Sequence, residues 1–157
     1  MKVNSYAALK KNELLIPYEI ERRELGKQDV LIEILYCGVC HSDIHQVRNE
    51  WGSSVFPMVP GHEIVGKVLN KGIGVKKFSV GDIAGVGCMV DSCRACESCK
   101  DDEEQFCQKG CTWTYGSSDK HNGKSTYGGY STHIVVDEDF VLKISKNLDL
   151  SRVAPLL

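Results

Sequence analysis

Apolar positions along the chain come in short runs broken by glycine and by acidic turns. "DVLIEILYCGV", residues 29–39, is an almost continuous run of β-branched and aliphatic side chains, the pattern of a strand buried on both faces. "HEIVGKVL" (62–69) reads as a second strand that ends in the turn "NKGIGV". "VGDIAGVG" (80–87) and "GGYSTHIVVDEDFVLKI" (128–144) supply further short strands. Helical signals are few. One lies around "HSDIHQVRNEW" (41–51), with Ser42 as its expected cap, and another opens at "DLSRVAPLL" (149–157), with Asp149 or Ser151 as cap. Many short strands with glycine-rich turns predict a mainly β fold, a barrel or a sandwich, carrying a few short helices. Residues 91–126 break the pattern. They are polar, rich in cysteine and poor in aliphatic periodicity, as a lobe held by something other than a core would be.

Composition narrows this picture. The chain of 157 residues, 42% of them hydrophobic, has the size and apolar content of one domain, taken as residues 1–157. A net charge of −2 with mixed signs gives no electrostatic basis for a nucleic-acid or membrane partner. The opening segment "MKVNSYAALKKNELLIPYEI" has no apolar run of signal-peptide length, and nothing approaches the roughly 18 apolar residues of a membrane span. The expected location is the cytoplasm. In that reducing compartment eight cysteines point to metal before disulfides.

Four of them, Cys93, Cys96, Cys99 and Cys107, are spaced C-x2-C-x2-C-x7-C. Two-residue gaps let neighbouring thiols converge on one ion, and four thiolates around zinc leave no open position, so the expected site is structural. It would also supply folding free energy that so polar a segment cannot get from burial. An iron–sulfur cluster is the competing metal, and disulfides are the third reading. The intervening "DDEE" is a solvated loop face, and the lobe lacks the basic face of a nucleic-acid zinc ribbon.

A second constellation is "CGVCHSDIH" (37–45) taken with "PGHEIVG" (60–66). Cys37 is open to three readings: ligand, redox thiol or strand core, the last favoured because free cysteine is often buried. "HEIVG" begins like the H-E-x-x-H of zinc proteases, but Gly66 stands where the second histidine must be. "CGVCHSDIH", the G-H-E-x2-G-x5-G-x2-V pattern from Gly61 to Val75, "GDIAGVGC" and the four-cysteine lobe, in this order, resemble the zinc-containing medium-chain alcohol dehydrogenases. "GVGCMVDSCRACESC" and "STYGGYSTHIVV" are similar to the cinnamyl-alcohol-dehydrogenase-like branch, which usually prefers NADP.

The resemblance spans nearly the whole chain and implies a GroES-like β-barrel with a zinc-binding lobe. It implies that Cys40 and His62 are ligands of a catalytic zinc, that Glu63 approaches the same ion, and that Asp43 orients His62. Ser42 and His45 would form a proton relay, and His41 would contact the cofactor. Trp51, Cys88 and Trp113 match positions that line the substrate pocket, while His121 and His133 carry no motif. The implied activity is hydride transfer between NADP and a primary alcohol or aldehyde, bulky or aromatic by resemblance. A homodimer is implied for the full-length protein.

Two parts of that machinery are not found within these residues. "GIGVKK" and "GVGCMV" lack the third glycine of a dinucleotide turn and lie within the β-rich part. The family's third catalytic-zinc cysteine would follow a segment like "VAPLL". The expectation is therefore the N-terminal part of a longer dehydrogenase, inactive as these 157 residues alone. A non-catalytic zinc-binding barrel is the alternative, and a zinc-based redox sensor using Cys37 and Cys40 is a third.

Overall fold

The computed structural model describes residues 1–157. The chain opens with an antiparallel hairpin, β1 (Lys2–Ala7) and β2 (Ile16–Glu21). In β1 the alternate side chains Val3, Ser5 and Ala7 turn inward, as the period of two in a strand requires. The long apolar run forms β3 (Asp29–Cys37), followed by α1 (His41–Val47) and β4 (Ile64–Lys71). Next come β5 (Ile83–Val86), β6 (Met89–Asp91), α2 (Glu97–Lys100) and β7 (Thr112–Trp113). β8 (His133–Asp137), β9 (Leu142–Lys143) and α3 (Leu150–Val153) complete the chain.

Five strands make one antiparallel sheet in the order β8-β3-β4-β5-β9, flanked by the β1–β2 hairpin and the small β6–β7 pair. Val30, Ile32, Ile64, Val68, Val86, Ile134 and Val136 from its inner face meet Val75 and Phe78 in the main core. Each such side chain contributes roughly 1.5–3 kcal/mol on burial, which is why the strand-rich reading of these runs holds. A second cluster, Val3, Ala7, Ile20 and Val59, seats the hairpin beside Tyr127 and Tyr130. α3 covers the outer face of β4 through Val153 and Ala154 packed on Val65. No helix is long and apolar enough to cross a membrane.

The helix caps differ from expectation in one place. Ser42 does not cap α1; Cys40, in extended geometry, precedes the first turn, and Ser42 lies inside the helix. The carboxylate of Asp43, three residues on, reaches back to accept the Cys40 N–H at 3.0 Å. The helix also stops at Val47, four residues short of Trp51. At α3 Asp149 is the cap and accepts from the Ser151 N–H at 3.1 Å.

Glycine 66 lies in β4 opposite Ile34. A Cβ there would fall 2.3 Å from the Glu33 carbonyl oxygen and 2.4 Å from the Ile32 Cγ2. The position that would hold the second histidine of a helical protease motif is thus a crowded strand position, and the protease reading fails on geometry.

Candidate metal centres and their pocket

α1 begins where β3 ends, and β4 runs back beside β3, so Cys40 and the His62–Glu63 pair meet at one end of the sheet. One donor atom each from Cys40, His62 and Glu63 lies within 4.8 Å of the others. Asp43 is 3% exposed and accepts from the N–H groups of Cys40 and Gly61, both at 3.0 Å, so one carboxylate fastens both approaches to the site. Its Oδ1 stands 3.5 Å from His62 Nδ1, the contact that leaves Nε2 as the free imidazole nitrogen. Burial pushes the Asp43 carboxyl up, but bonds from His62, Tyr115 and the two backbone N–H groups outweigh it and hold it below the usual range. The same contact raises His62. The Ser42 hydroxyl donates to Cys40 Sγ at 3.1 Å, and that hydroxyl with its own N–H lowers the Cys40 thiol. A soft thiolate, an imidazole and a carboxylate with room beside them suit an open zinc position.

The room is a cavity of about 560 Å³. Ser42, Trp51, His62, Cys88, Trp113 and Tyr115 line it, so the three side chains expected at the substrate share one space with the Ser42 hydroxyl. Trp51 and Trp113 are each about half exposed. Ser42 and His45 are spaced i, i+3 on one face of α1. The His45 ring stacks on His41 at 4.4 Å and on Trp51 at 5.1 Å, and its Nδ1 pairs with Glu50. His133 sits on β8, and His121 Nε2 faces Asp91 at 3.6 Å. Neither approaches the Cys40 cluster.

Cys37 stays outside that cluster. Burial pushes its thiol up to about 12, and it packs against the main core. A redox sensor needs an accessible thiolate, which this environment denies.

The sulfurs of Cys93, Cys96, Cys99 and Cys107 also lie within 4.8 Å of one another, with Cys93–Cys99 at 3.8 Å and Cys96–Cys99 at 3.4 Å. Four ligands at ~2.3 Å from one tetrahedral ion stand roughly 3.8 Å apart. A disulfide needs about 2 Å, and all eight cysteines are free thiols. In an iron–sulfur cluster the four thiolates are divided among two or four irons, which spreads the sulfurs further apart. The four residues therefore fit a single ion. Backbone N–H groups of Ala95 and Cys96 lower the Cys93 thiol to about 6. Arg94 ties the lobe to the sheet: it donates to Asp91 Oδ1 at 2.9 Å and to Asp137 Oδ2 at 2.8 Å, and lies over the Phe140 ring.

Two residues at the first centre escaped the sequence reading. The Tyr115 hydroxyl donates to Asp43 Oδ1 at 2.7 Å, and the Tyr130 hydroxyl to Asp43 Oδ2 at 3.1 Å. They lie 72 and 87 positions from Asp43, and no local spacing pointed to them.

A family model described as the alcohol dehydrogenase GroES-like domain matches residues 26–146. A probable mannitol dehydrogenase of Fragaria ananassa is 51% identical over 156 residues, 99% of this chain and 43% of its own length. The aldehyde reductase YahK of Escherichia coli is 51% identical over 158 residues, covering 100% of this chain and 45% of its own. Among solved structures, the cinnamyl alcohol dehydrogenase of Helicobacter pylori complexed with NADP(H) superposes with a TM-score of 0.97 at 48% identity, over 100% of this chain and 45% of that one. The chain spans less than half the length of these relatives.

Proposed function

Because the chain belongs to the alcohol dehydrogenase GroES-like family, we propose that it forms the metal- and substrate-holding part of a zinc-dependent oxidoreductase that works with NADP. The observation that carries this reading is the meeting of Cys40, His62 and Glu63, with His62 lining a cavity shared with Ser42, Trp51, Cys88 and Trp113. In it, Cys40 and His62 hold a catalytic zinc with Glu63 close by, and Cys93, Cys96, Cys99 and Cys107 hold a structural one. At the first centre zinc supplies Lewis acidity, easing deprotonation of an alcohol or polarising an aldehyde carbonyl.

The protein's own groups do the rest. Asp43 fixes His62 in the tautomer that presents Nε2. Ser42, beside Cys40 and open to the cavity, takes the hydroxyl proton of an alcohol and passes it along α1 to His45, which releases it to water. Trp51 and Trp113 face the cavity with flat apolar surface and suit an aromatic or otherwise bulky primary alcohol or aldehyde. His41, exposed beside His45, is placed for the cofactor. The dinucleotide and the homodimer contact are assigned to sequence outside these residues.

The test is the full-length gene product assayed with NADPH and an aromatic aldehyde. His62→Ala should cut the rate at least about a thousandfold, since the metal is asked for several kcal/mol of charge stabilisation. An unchanged rate in that variant contradicts the reading.

A further inference from the structure

Resting on the metal assignment above, we infer that Tyr115 and Tyr130 are positioning residues of the Cys40–His62 centre. Their two phenol hydroxyls hold Asp43, one at each carboxylate oxygen, and so set the orientation of both ligands before a metal arrives.

The arrangement around Asp43 is closed. Oδ1 accepts from the Gly61 N–H and the Tyr115 hydroxyl and stands beside His62 Nδ1. Oδ2 accepts from the Cys40 N–H and the Tyr130 hydroxyl. Two of these donors belong to the backbone of the ligand segments themselves. A carboxylate able to turn about its χ2 would loosen Cys40 and His62 together. Each oxygen takes one backbone N–H and one phenol hydroxyl, so the tyrosines complete on both oxygens the hold that the backbone begins.

Both tyrosines are themselves held. The Tyr115 ring is 8% exposed and stacks on the His62 imidazole, centroid to centroid 5.8 Å, while its hydroxyl reaches past to Asp43. Its neighbour Thr114 is pinned by a bond from its N–H to the Cys88 carbonyl at 2.8 Å. Tyr130 comes from the segment before β8, whose backbone pairs with the residues leading to His62: Gly128 N–H with the Val59 carbonyl, Gly129 with Gly61 and Tyr130 with Pro60. That segment is clamped from behind by the buried Arg22 guanidinium, which donates to the Gly128 and His133 carbonyls and to Ser131 Oγ. Asp43 thus joins α1, the strand-side loop before β4, the segment after β7 and the segment before β8. A ligand pair held by four separate parts of the chain depends on the groups that unite them, and outer partners of this kind typically change metal affinity 10- to 100-fold.

The experiment fills the four-thiolate cluster with zinc and then titrates Co²⁺ into the second centre, read by the d–d absorption of a cobalt–thiolate complex. Cys40→Ser should abolish the signal, which assigns it. Tyr115→Phe should weaken Co²⁺ binding about tenfold, and the Tyr115→Phe/Tyr130→Phe pair about a hundredfold, with a changed band shape as the ligands reorient. Zinc in the four-thiolate cluster and the urea midpoint should stay at the parent's values. A double variant with the parent's affinity and spectrum overturns the inference. So does a loss of affinity that only parallels a loss of stability, which marks the tyrosines as packing residues. A parent protein with no cobalt–thiolate signal removes the metal assignment itself, and this inference with it.

Discussion

At Gly66 a single missing methyl group lets β4 lie against β3. The Cβ of an alanine would stand 2.3 Å from a backbone carbonyl and 2.4 Å from a buried isoleucine methyl, and neither can retreat without breaking the register. Gly66→Ala is expected to destabilise by about 1–3 kcal/mol, the usual cost of overpacking a tight interior, measured by urea unfolding with the zinc-loaded protein. Single residues of this kind are legible in sequence where a motif demands them. The four lobe cysteines were legible because short spacings carry chemistry, and Cys40 and His62 were ligand candidates through the resemblance of their motifs to a known family. Tyr115 and Tyr130 were not, because a phenol that reaches a carboxylate across more than 70 positions leaves no periodicity behind.

Between elements, the turn from β2 to β3 is held by Asp29. Its carboxylate, 2% exposed as a residue, pairs with the Arg23 guanidinium, Oδ1 to Nη2 at 2.8 Å, and accepts the Gly26 N–H at 2.6 Å. Burial pushes the carboxyl up, but Arg23 and Gly26 outweigh it and hold the group below its usual value. A depressed carboxyl contributes stability that is full above the unfolded value of about 3.9 and is lost as the pH falls through the folded one. Asp29→Asn should therefore be less stable than the parent at pH 7, and the gap should close below about pH 4. A gap that stays constant across that range contradicts the assignment.

The same scale shows why the N-terminal hairpin was not foreseen. β2 buries only Ile20 of its six residues, and β1 is short and interrupted by Asn and Ser. Apolar periodicity marked β3, β4, β5 and β8, which build the core, and was silent on strands that pair along its edge. The cap of α1 was misplaced for a related reason. Ser42 is a common cap residue, yet Asp43 at the third position of the helix captures the Cys40 N–H and shifts the start by two residues.

The whole molecule divides its stability between two sources. The sheet rests on apolar burial, while the lobe between β6 and β7 has four thiols at its centre and is tied back by Arg94 to Asp91 and Asp137. The two proposed centres differ in kind. Four sulfurs would enclose one ion completely, whereas at the Cys40–His62–Glu63 group the His62 side borders the cavity. Their metals should therefore leave at very different chelator strengths.

The most direct measurement is the zinc content of the purified protein against increasing chelator concentration. Two steps are expected: a weak one that Cys40→Ser removes, and a tight one, close to one ion per chain, that Cys93→Ser removes. Protein that carries no zinc when freshly purified, or a tight ion that survives Cys93→Ser, contradicts the account.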